Sequence, residues 1–339
     1  MKSAQSAEVA LPEESGVSSV SAKKSKTPSA AADMKTPNKK ITREFKENIW
    51  GYLFISPWII GFICLTAGPL LFSLAASFTD YNITSKMNFI GMDNFVRMFT
   101  IDNLFWTSLW NTLYYVAFSV PLTTVGAILI ALLLNQKILG MKIFRTIYYL
   151  PAILSGVAVY FLWMQLLSPS TGLVNTFLGW FGIDGPAWLF DPEWTKPGLI
   201  LMKLWSVGGG MLLYLASLQG VSKEMYEAAD IEGATGLQKF YNITLPMISP
   251  IIFFDVITST IGAFQIFQEA YVMSEEGSGR PANSLLFYNL HMWNNAFELF
   301  DMGYASAMAW LLFIIVMVLT VLNMKIGKRW VYYEGGDNK

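Results

Sequence analysis

The sequence predicts an all-α membrane protein of six transmembrane helices with both ends in the cytoplasm. Three observations lead there. Apolar residues make up 54% of the 339-residue chain and charged residues only 14%, against roughly 25% charge in an ordinary soluble domain. Six apolar stretches each approach the ~20 residues that a helix needs to cross a bilayer core. Lysine and arginine are spread unevenly over the segments between them, and that bias is what orients a membrane protein.

The chain opens with a segment, 1–46, rich in Ser, Ala, Lys and Pro and without a periodic apolar face. It has little area to bury against the entropy of ordering, so an unstructured tail is expected. The first apolar run starts about fifty residues in, too late for a cleaved leader, and is expected to stay in the membrane. That first span covers 51–78 within a helix of 47–80 and is interrupted by Pro57 and Pro69. The others are 108–135, 147–167, 199–218, 247–271 and 304–324. The fourth and fifth are the weakest, because Lys203 and Asp255 fall within them.

With the N-terminus inside, 18 of the 23 Lys and Arg residues lie in the tail, the 2–3 loop, the 4–5 loop and the C-terminal segment 326–339 or just before it, at Lys325. Only Lys86, Arg97, Lys196 and Arg280 fall outside. Lys203 is expected to snorkel to the outer interface. The loops 173–197 and 273–303 carry Trp180, Trp188, Trp194, Tyr288 and Trp293. Two readings fit them: an interfacial aromatic belt, or a lid for an external partner.

Composition also excludes chemistry. The single Cys, Cys64, forms no internal disulfide and no cysteine metal cluster, and the single His, His291, leaves no His-based triad or multi-His zinc site. His291 reads as an external polar residue. A net charge of −1 points to no nucleic-acid partner.

The informative segment is the 4–5 loop, 219–246: QGVSKEMYEAADIEGATGLQKFYNITLP. It is too polar to span. Met225, Ala228, Ala229 and Ile231 or Glu232 repeat at three-to-four spacing, predicting a short amphipathic helix. Ser222 is placed to cap it. Gly233 and Gly236 can end it in a left-handed conformation. Pro246 and Pro250 then mark where the chain turns back into the fifth span.

On these residues the loop resembles the EAA loop of ABC importer permeases: Glu227-Ala228-Ala229, then Gly233-Ala234, then Phe240, Ile243, Leu245-Pro246 and Pro250. The resemblance extends over most of the chain. LFISPWIIGF and SLAASFTDYN in the first span, FIGMDNFVRMF (89–99), Asn111-Thr112 through ALLLN (131–135), FRTIYYLPAILSGVA (144–158), GLVN (172–175) and the ending GYASAMAWLLF…KRWVYYEGG are similar to the maltose F-like and glycerol-phosphate-type carbohydrate permeases.

The resemblance implies a type I ABC importer permease fold with a core over 107–325, in a bacterial plasma membrane. It implies a non-catalytic subunit. Its partners would be a second homologous permease, an ABC ATPase dimer and an extracytoplasmic sugar-binding protein, besides the membrane lipid. ATP and Mg²⁺ would bind to the ATPase, since no P-loop G-x-x-x-x-G-K-[ST] occurs here. Glu227, Ala228, Ala229, Gly233, Leu245 and Pro246 would couple the ATPase to the spans, with small residues allowing close approach and Glu227 pairing with a basic residue. Two departures are visible. Arg280 stands where the external T-G-G-G-P motif has Gly, with Gly279 and Pro281 retained. Val221-Ser222 replaces Ile-Pro ahead of the coupling helix.

A sugar path needs amide or carboxylate partners and flat aromatic faces. Candidates are Asn111, Tyr115, Trp163, Gln165, Trp205, Gln265 and Gln268, with Glu269 beside them. Gln265 and Gln268 would share a helical face. Each of these residues also has a second reading, hydrogen bonding between helices. Asp255, at a cost of about 2.5–3.5 kcal/mol if charged mid-helix, requires a partner that the sequence does not name. The expected cargo is an oligosaccharide, with glycerol phosphate esters as the alternative, and the scarcity of cations near the outer half favours a neutral sugar.

Overall fold

The computed structural model describes residues 38–332 except 85, 137 and 155, with the backbone alone for 38–44. Of the predicted tail, 1–37 lies outside the described residues, while 38–46 already belongs to the first helix. The chain separates into two units, 1–62 and 63–339. In the first, α1 (Asn38–Phe62) passes through Pro57. Its last turns carry a stacked Trp58–Phe62 pair with ring centroids 5.5 Å apart.

Among the described residues the second unit consists of helices joined by turns and loops, with isolated β-bridges Thr79–Phe89 and Asn82–Asp301. A π-helical turn, Ile63–Ala67, leads into α2 (Gly68–Ala76), and α3 (Asp93–Thr100) precedes α4 (Asn103–Leu134). Next come α5 (Met141–Ile153), α6 (Gly156–Leu166) and α7 (Leu173–Gly179). After them run α8 (Thr195–Trp205), α9 (Gly208–Gly220), α10 (Lys223–Ile231) and α11 (Gly236–Lys239). A second π-helical turn, Phe240–Thr244, joins α11 to α12 (Leu245–Phe264). The chain ends through α13 (Gln268–Met273), α14 (Tyr288–Trp293) and α15 (Met302–Gly327).

Among the described residues, four helical stretches are long and apolar enough to cross a membrane: Phe45–Ala76, Asn103–Leu134, Gly236–Phe264 and Met302–Gly327. Two further pairs, α5 with α6 and α8 with α9, qualify if each bent pair is one span, the second bending by 46°. The number is therefore four to six.

α4 is the central element, packed against α8, α9, α12 and α14. Small side chains make this possible. A Cβ on Gly210 would lie 3.3 Å from that of Ala127, so α9 and α4 are in close contact there. One on Gly208 would collide with the Tyr148 carbonyl oxygen of α5, which fixes glycine at the start of α9. Around these contacts Ala131, Met211, Tyr214 and Ile248 form one buried cluster. Phe105, Phe264, Tyr304 and Met308 form another, toward the α4 N-terminus.

Two expectations about the fifth span are corrected. Pro246 and Pro250 do not turn the chain, because the helix runs on through both from Gly236. Pro246 sits in the first turn of α12, where its missing N–H is not needed, and the preceding π-turn absorbs the distortion. The helix also stops at Phe264, with α13 starting afresh at Gln268, so Gln265 and Gln268 belong to no common helical face.

Candidate functional site

The loop between α9 and α12 is built by short-range bonds. α10 ends as the sequence implies: Gly233 takes φ +76°, its N–H donates to the Asp230 carbonyl at 3.1 Å, and the Ala234 N–H donates to the Ala229 carbonyl at 2.9 Å. This is the paired closure that a left-handed glycine permits. Gly236, expected as a second terminator, instead opens α11. That start is capped by Thr235, whose hydroxyl accepts from the Gln238 N–H while the Gln238 side chain accepts from the Thr235 N–H. An Asp230–Lys239 ion pair and a 2.9 Å hydrogen bond between the Tyr226 and Thr244 hydroxyls tie α10 to the start of the long helix. Ser222 holds the cap position, but its hydroxyl donates to Glu224 and leaves the backbone uncapped.

Among its exposed side chains, which include Lys223, Glu224, Glu227 and Glu232, the loop presents several large apolar ones. Ile231 is 89% exposed, Leu237 68% and Tyr241 58%, with Met225 partly exposed beside them. Glu227 and Ala228 are exposed on the same short helix, Ala229 is half-buried, and Leu245 and Pro246 lie half-buried in the following helix. An exposed apolar group on an ordered loop marks an interaction surface.

Between α4, α8, α9 and α12 lie three adjoining hollows. One, of about 200 Å³, is walled by Tyr115, Ser119, Thr123, Lys203, Gln265 and Glu269. A second, about 150 Å³, adds Ser206, Asp255 and Ser259. A third, about 270 Å³, reaches α5 and α6 through Pro151 and Tyr160 and again includes Lys203 and Glu269. Lys203, the residue expected to snorkel, is exposed. It lies beside the α8–α9 bend and faces all three hollows. Asp255, for which the sequence named no partner, accepts from the Tyr214 hydroxyl at 2.7 Å, Thr124 at 3.0 Å and Ser259 at 3.2 Å.

The path candidates therefore divide. Tyr115 and Gln265 face the hollows, and Glu269 interacts with the hydroxyls of Tyr115 and Tyr160. Trp163 and Trp205 meet edge to face at 5.9 Å. Asn111 is a structural tie: its amide donates to the carbonyls of Asn283 at 2.8 Å and Leu286 at 3.0 Å, and its oxygen accepts from Lys196. Gln165 and Gln268 are exposed and line none of the three hollows.

At the end holding the N-termini of α4 and α15 lies a network that the sequence did not reveal. Asp102 caps α4 through the N–H groups of Leu104 at 2.9 Å and Phe105 at 3.1 Å. It also accepts from the Tyr304 hydroxyl at 2.6 Å and lies 2.7 Å from His291 Nε2. Burial works against its charge, but the bonds from Tyr304 and His291 outweigh that and hold its carboxyl below the usual range. His291, read from the sequence only as an external polar residue, is thus buried and paired. Arg97 stacks on the Tyr304 ring and bonds Asp301 at 2.5 Å. Asp-before-helix was a readable cap signal; the partner 189 residues away was not. Nearby, Trp188 and Trp194 pack edge to face and Trp188 donates to Asn175, so this part of the aromatic loop is folded on itself. Arg280 pairs with Glu275, both exposed.

No family model matches the chain. Among curated proteins it is 43% identical to the probable ABC transporter permease protein YesP of Bacillus subtilis, over 86% of this chain and 94% of that one. It is 37% identical to the lactose transport system permease protein LacF of Rhizobium radiobacter, covering 80% and 92%. It is 34% identical to the arabinooligosaccharides transport system permease protein AraP of Halalkalibacterium halodurans, covering 80% and 86%. Among solved structures, a bacterial alginate ABC transporter in complex with an alginate pentasaccharide-bound periplasmic protein is similar with TM-score 0.75 and 26% identity, over 86% of this chain and 98% of that one.

Proposed function

The chain belongs to the sugar ABC transporter permeases, multi-pass proteins of the inner membrane, and from that premise we propose that it is one of two permease subunits in an ATP-driven importer of an oligosaccharide. The observation that carries this reading is the exposed face of α10 and α11. A loop held rigid by its own hydrogen bonds, with Met225, Ile231, Leu237 and Tyr241 in the open beside Glu227 and Ala228, fits a groove on a cytoplasmic ATPase dimer. The ATPase supplies nucleotide and Mg²⁺ binding, so this subunit is non-catalytic. The uninterrupted helix from Gly236 to Phe264 then carries the ATPase motion to the walls of the hollows.

Counting each bent pair as one crossing gives six spans and puts α10 on the same side as both termini, the side rich in Lys and Arg. In this arrangement the permease core runs over 107–325 with its coupling loop at 219–246. The hollows between α4, α8, α9 and α12 are the chain's share of the path. Individually they fall short of the roughly 300–1,000 Å³ of a ligand pocket, as expected of a surface that a second homologous permease completes. The network around Asp102 lies on the opposite side, where a sugar-binding protein delivers cargo. An oligosaccharide fits the relatives' range, which includes lactose and arabinooligosaccharide systems.

The test is Glu227→Lys in the assembled complex. ATP-dependent sugar uptake is expected to fall to background while the chain still inserts and is recovered with its partner permease. Normal uptake in that variant would remove the coupling role. Uptake driven by membrane potential without any ATPase would instead mark a secondary transporter.

A further inference from the structure

Two prolines, Pro246 and Pro250, lie in the first two turns of α12. In an α-helix the N–H of residue 250 bonds the carbonyl of residue 246, and a proline at 250 has no N–H to give. The Ser249 hydroxyl takes that place, donating to the Pro246 carbonyl at 2.7 Å. A hydroxyl has one hydrogen to donate and can also accept. The Ser249 oxygen accepts from the Tyr332 N–H at 2.8 Å. One side chain, 2% exposed, thus mends the helix and holds the chain that follows α15. The segment beyond α15 is shaped for this contact. α15 ends at Gly327, whose carbonyl accepts from the N–H groups of Trp330 at 3.1 Å and Val331 at 2.9 Å. That turn brings residue 332 against α12. A Cβ at Gly327 would lie 2.4 Å from the Phe253 ring, so glycine lets α15 close on α12 there. Trp330 packs edge to face on the same ring, with centroids 6.4 Å apart.

We propose that Ser249 is a positioning residue for coupling: through it the 327–332 segment clasps the loop-side end of α12, so that motion received by α10 moves α12 and α15 as one body. This rests on the coupling role proposed for the α10–α11 loop. The load enters close by. The Tyr226 and Thr244 hydroxyls bond at 2.9 Å, and Thr244 precedes Ser249 by five residues, roughly 7–8 Å along a helix. Between that joint and the walls of the hollows the helix must pass Pro246 and Pro250. A helix bends most easily where prolines remove its ladder bonds. Without the clasp, a displacement at Thr244 would be absorbed by bending there. With it, the displacement reaches Asp255 and Ser259, which lie further along the same helix and line a hollow.

The test uses the full chain assembled with its partner permease and ATPase in proteoliposomes, and it needs no identified cargo. The single cysteine, Cys64, is replaced by Ala, and Gln265→Cys puts one thiol on the wall of the first hollow. The rate at which that thiol reacts with a water-soluble maleimide is measured with and without ATP and vanadate. The ratio of the two rates is the response, and ATP hydrolysis is measured alongside. Ser249→Ala, which removes both bonds, is expected to lower the response about fivefold, the scale of one net hydrogen bond, while hydrolysis continues at the reference rate. Tyr332→Pro, which removes the donating N–H and leaves α12 untouched, should lower it similarly. Ser249→Thr, which keeps the hydroxyl, should retain the reference response. An unchanged response in Ser249→Ala would overturn the proposal. So would a parallel loss of hydrolysis and response, the mark of a merely structural residue. So would a full response in Tyr332→Pro, which would confine the hydroxyl to a role within α12. If Ser249→Ala does not assemble, Tyr332→Pro decides. No response in the reference protein, despite hydrolysis, would bring down the coupling reading itself, a pattern distinct from those.

Discussion

The α10–α11 loop and the network around Asp102 dispose of their residues in opposite ways. The loop exposes apolar side chains and holds its shape with bonds between near neighbours in sequence, such as Thr235 with Gln238 and Asp230 with Lys239. The network buries charged and polar groups and joins residues about two hundred positions apart, such as Asp102 with Tyr304 and Arg97 with Asp301. The difference separates an exposed apolar surface, which the proposed ATPase contact would cover, from an anchor that the fold itself completes. Exposed apolar area is stabilised only when a partner covers it, whereas a buried carboxylate is tolerated only when its own fold supplies the donors.

The largest effect that would break this comparison is expected in the loop. Gly233→Asp places a carboxylate at the left-handed position that ends α10. Asp tolerates that conformation better than most residues, so the helix should persist while uptake falls to background, measured in proteoliposomes at equal incorporation. Full uptake would show that this face contacts nothing.

Next in size is Asp102→Ala. It removes the α4 cap and leaves His291 and Tyr304 without their acceptor. A loss of about 3 kcal/mol is expected from breaking such a part-buried pair, read as a fall in the thermal unfolding midpoint in detergent. A much smaller loss would mean that the helix ends are held by packing alone.

The same residue sharpens the contrast through pH. The folded pKa of Asp102 is depressed, so its contribution is complete above the unfolded value of about 3.9 and is lost as the pH falls through the folded value. Acidification below about pH 4 should therefore lower the unfolding midpoint of the wild type more than that of Asp102→Asn.

The smallest effects distinguish two residues of similar chemistry within the loop. Thr235→Ala should cost about 1 kcal/mol of local stability, seen as faster hydrogen exchange at 236–239. Ser222→Ala should change exchange in α10 hardly at all, because the Ser222 hydroxyl caps no backbone group. Equal effects would mean that sequence position, not the bond formed, sets the cap.

Much of the loop was legible beforehand. The spacing of Met225, Ala228 and Ala229, the turn at Gly233 and the flanking polar residues are local features, and local sequence encodes local conformation. The reading erred where a neighbour decided. Pro246 reads as a breaker in isolation, yet a π-turn and the first-turn position let the helix continue. The lining of the hollows was legible only in part, since Tyr115 and Gln265 line them whereas Asn111 ties the α4 helix to the 283–286 turn.

By itself the sequence determined that this is a helical membrane protein, which apolar runs form its helices, and where the short helix of the 219–246 loop lies. Those properties follow from composition, period and the residues adjacent in the chain. Only the tertiary structure decided what each buried charge does. His291 became the partner of Asp102, and Asp255 found three hydroxyls. A charge in a low-dielectric interior is governed by the donors and acceptors within a few ångströms, and here those come from helices far apart in sequence.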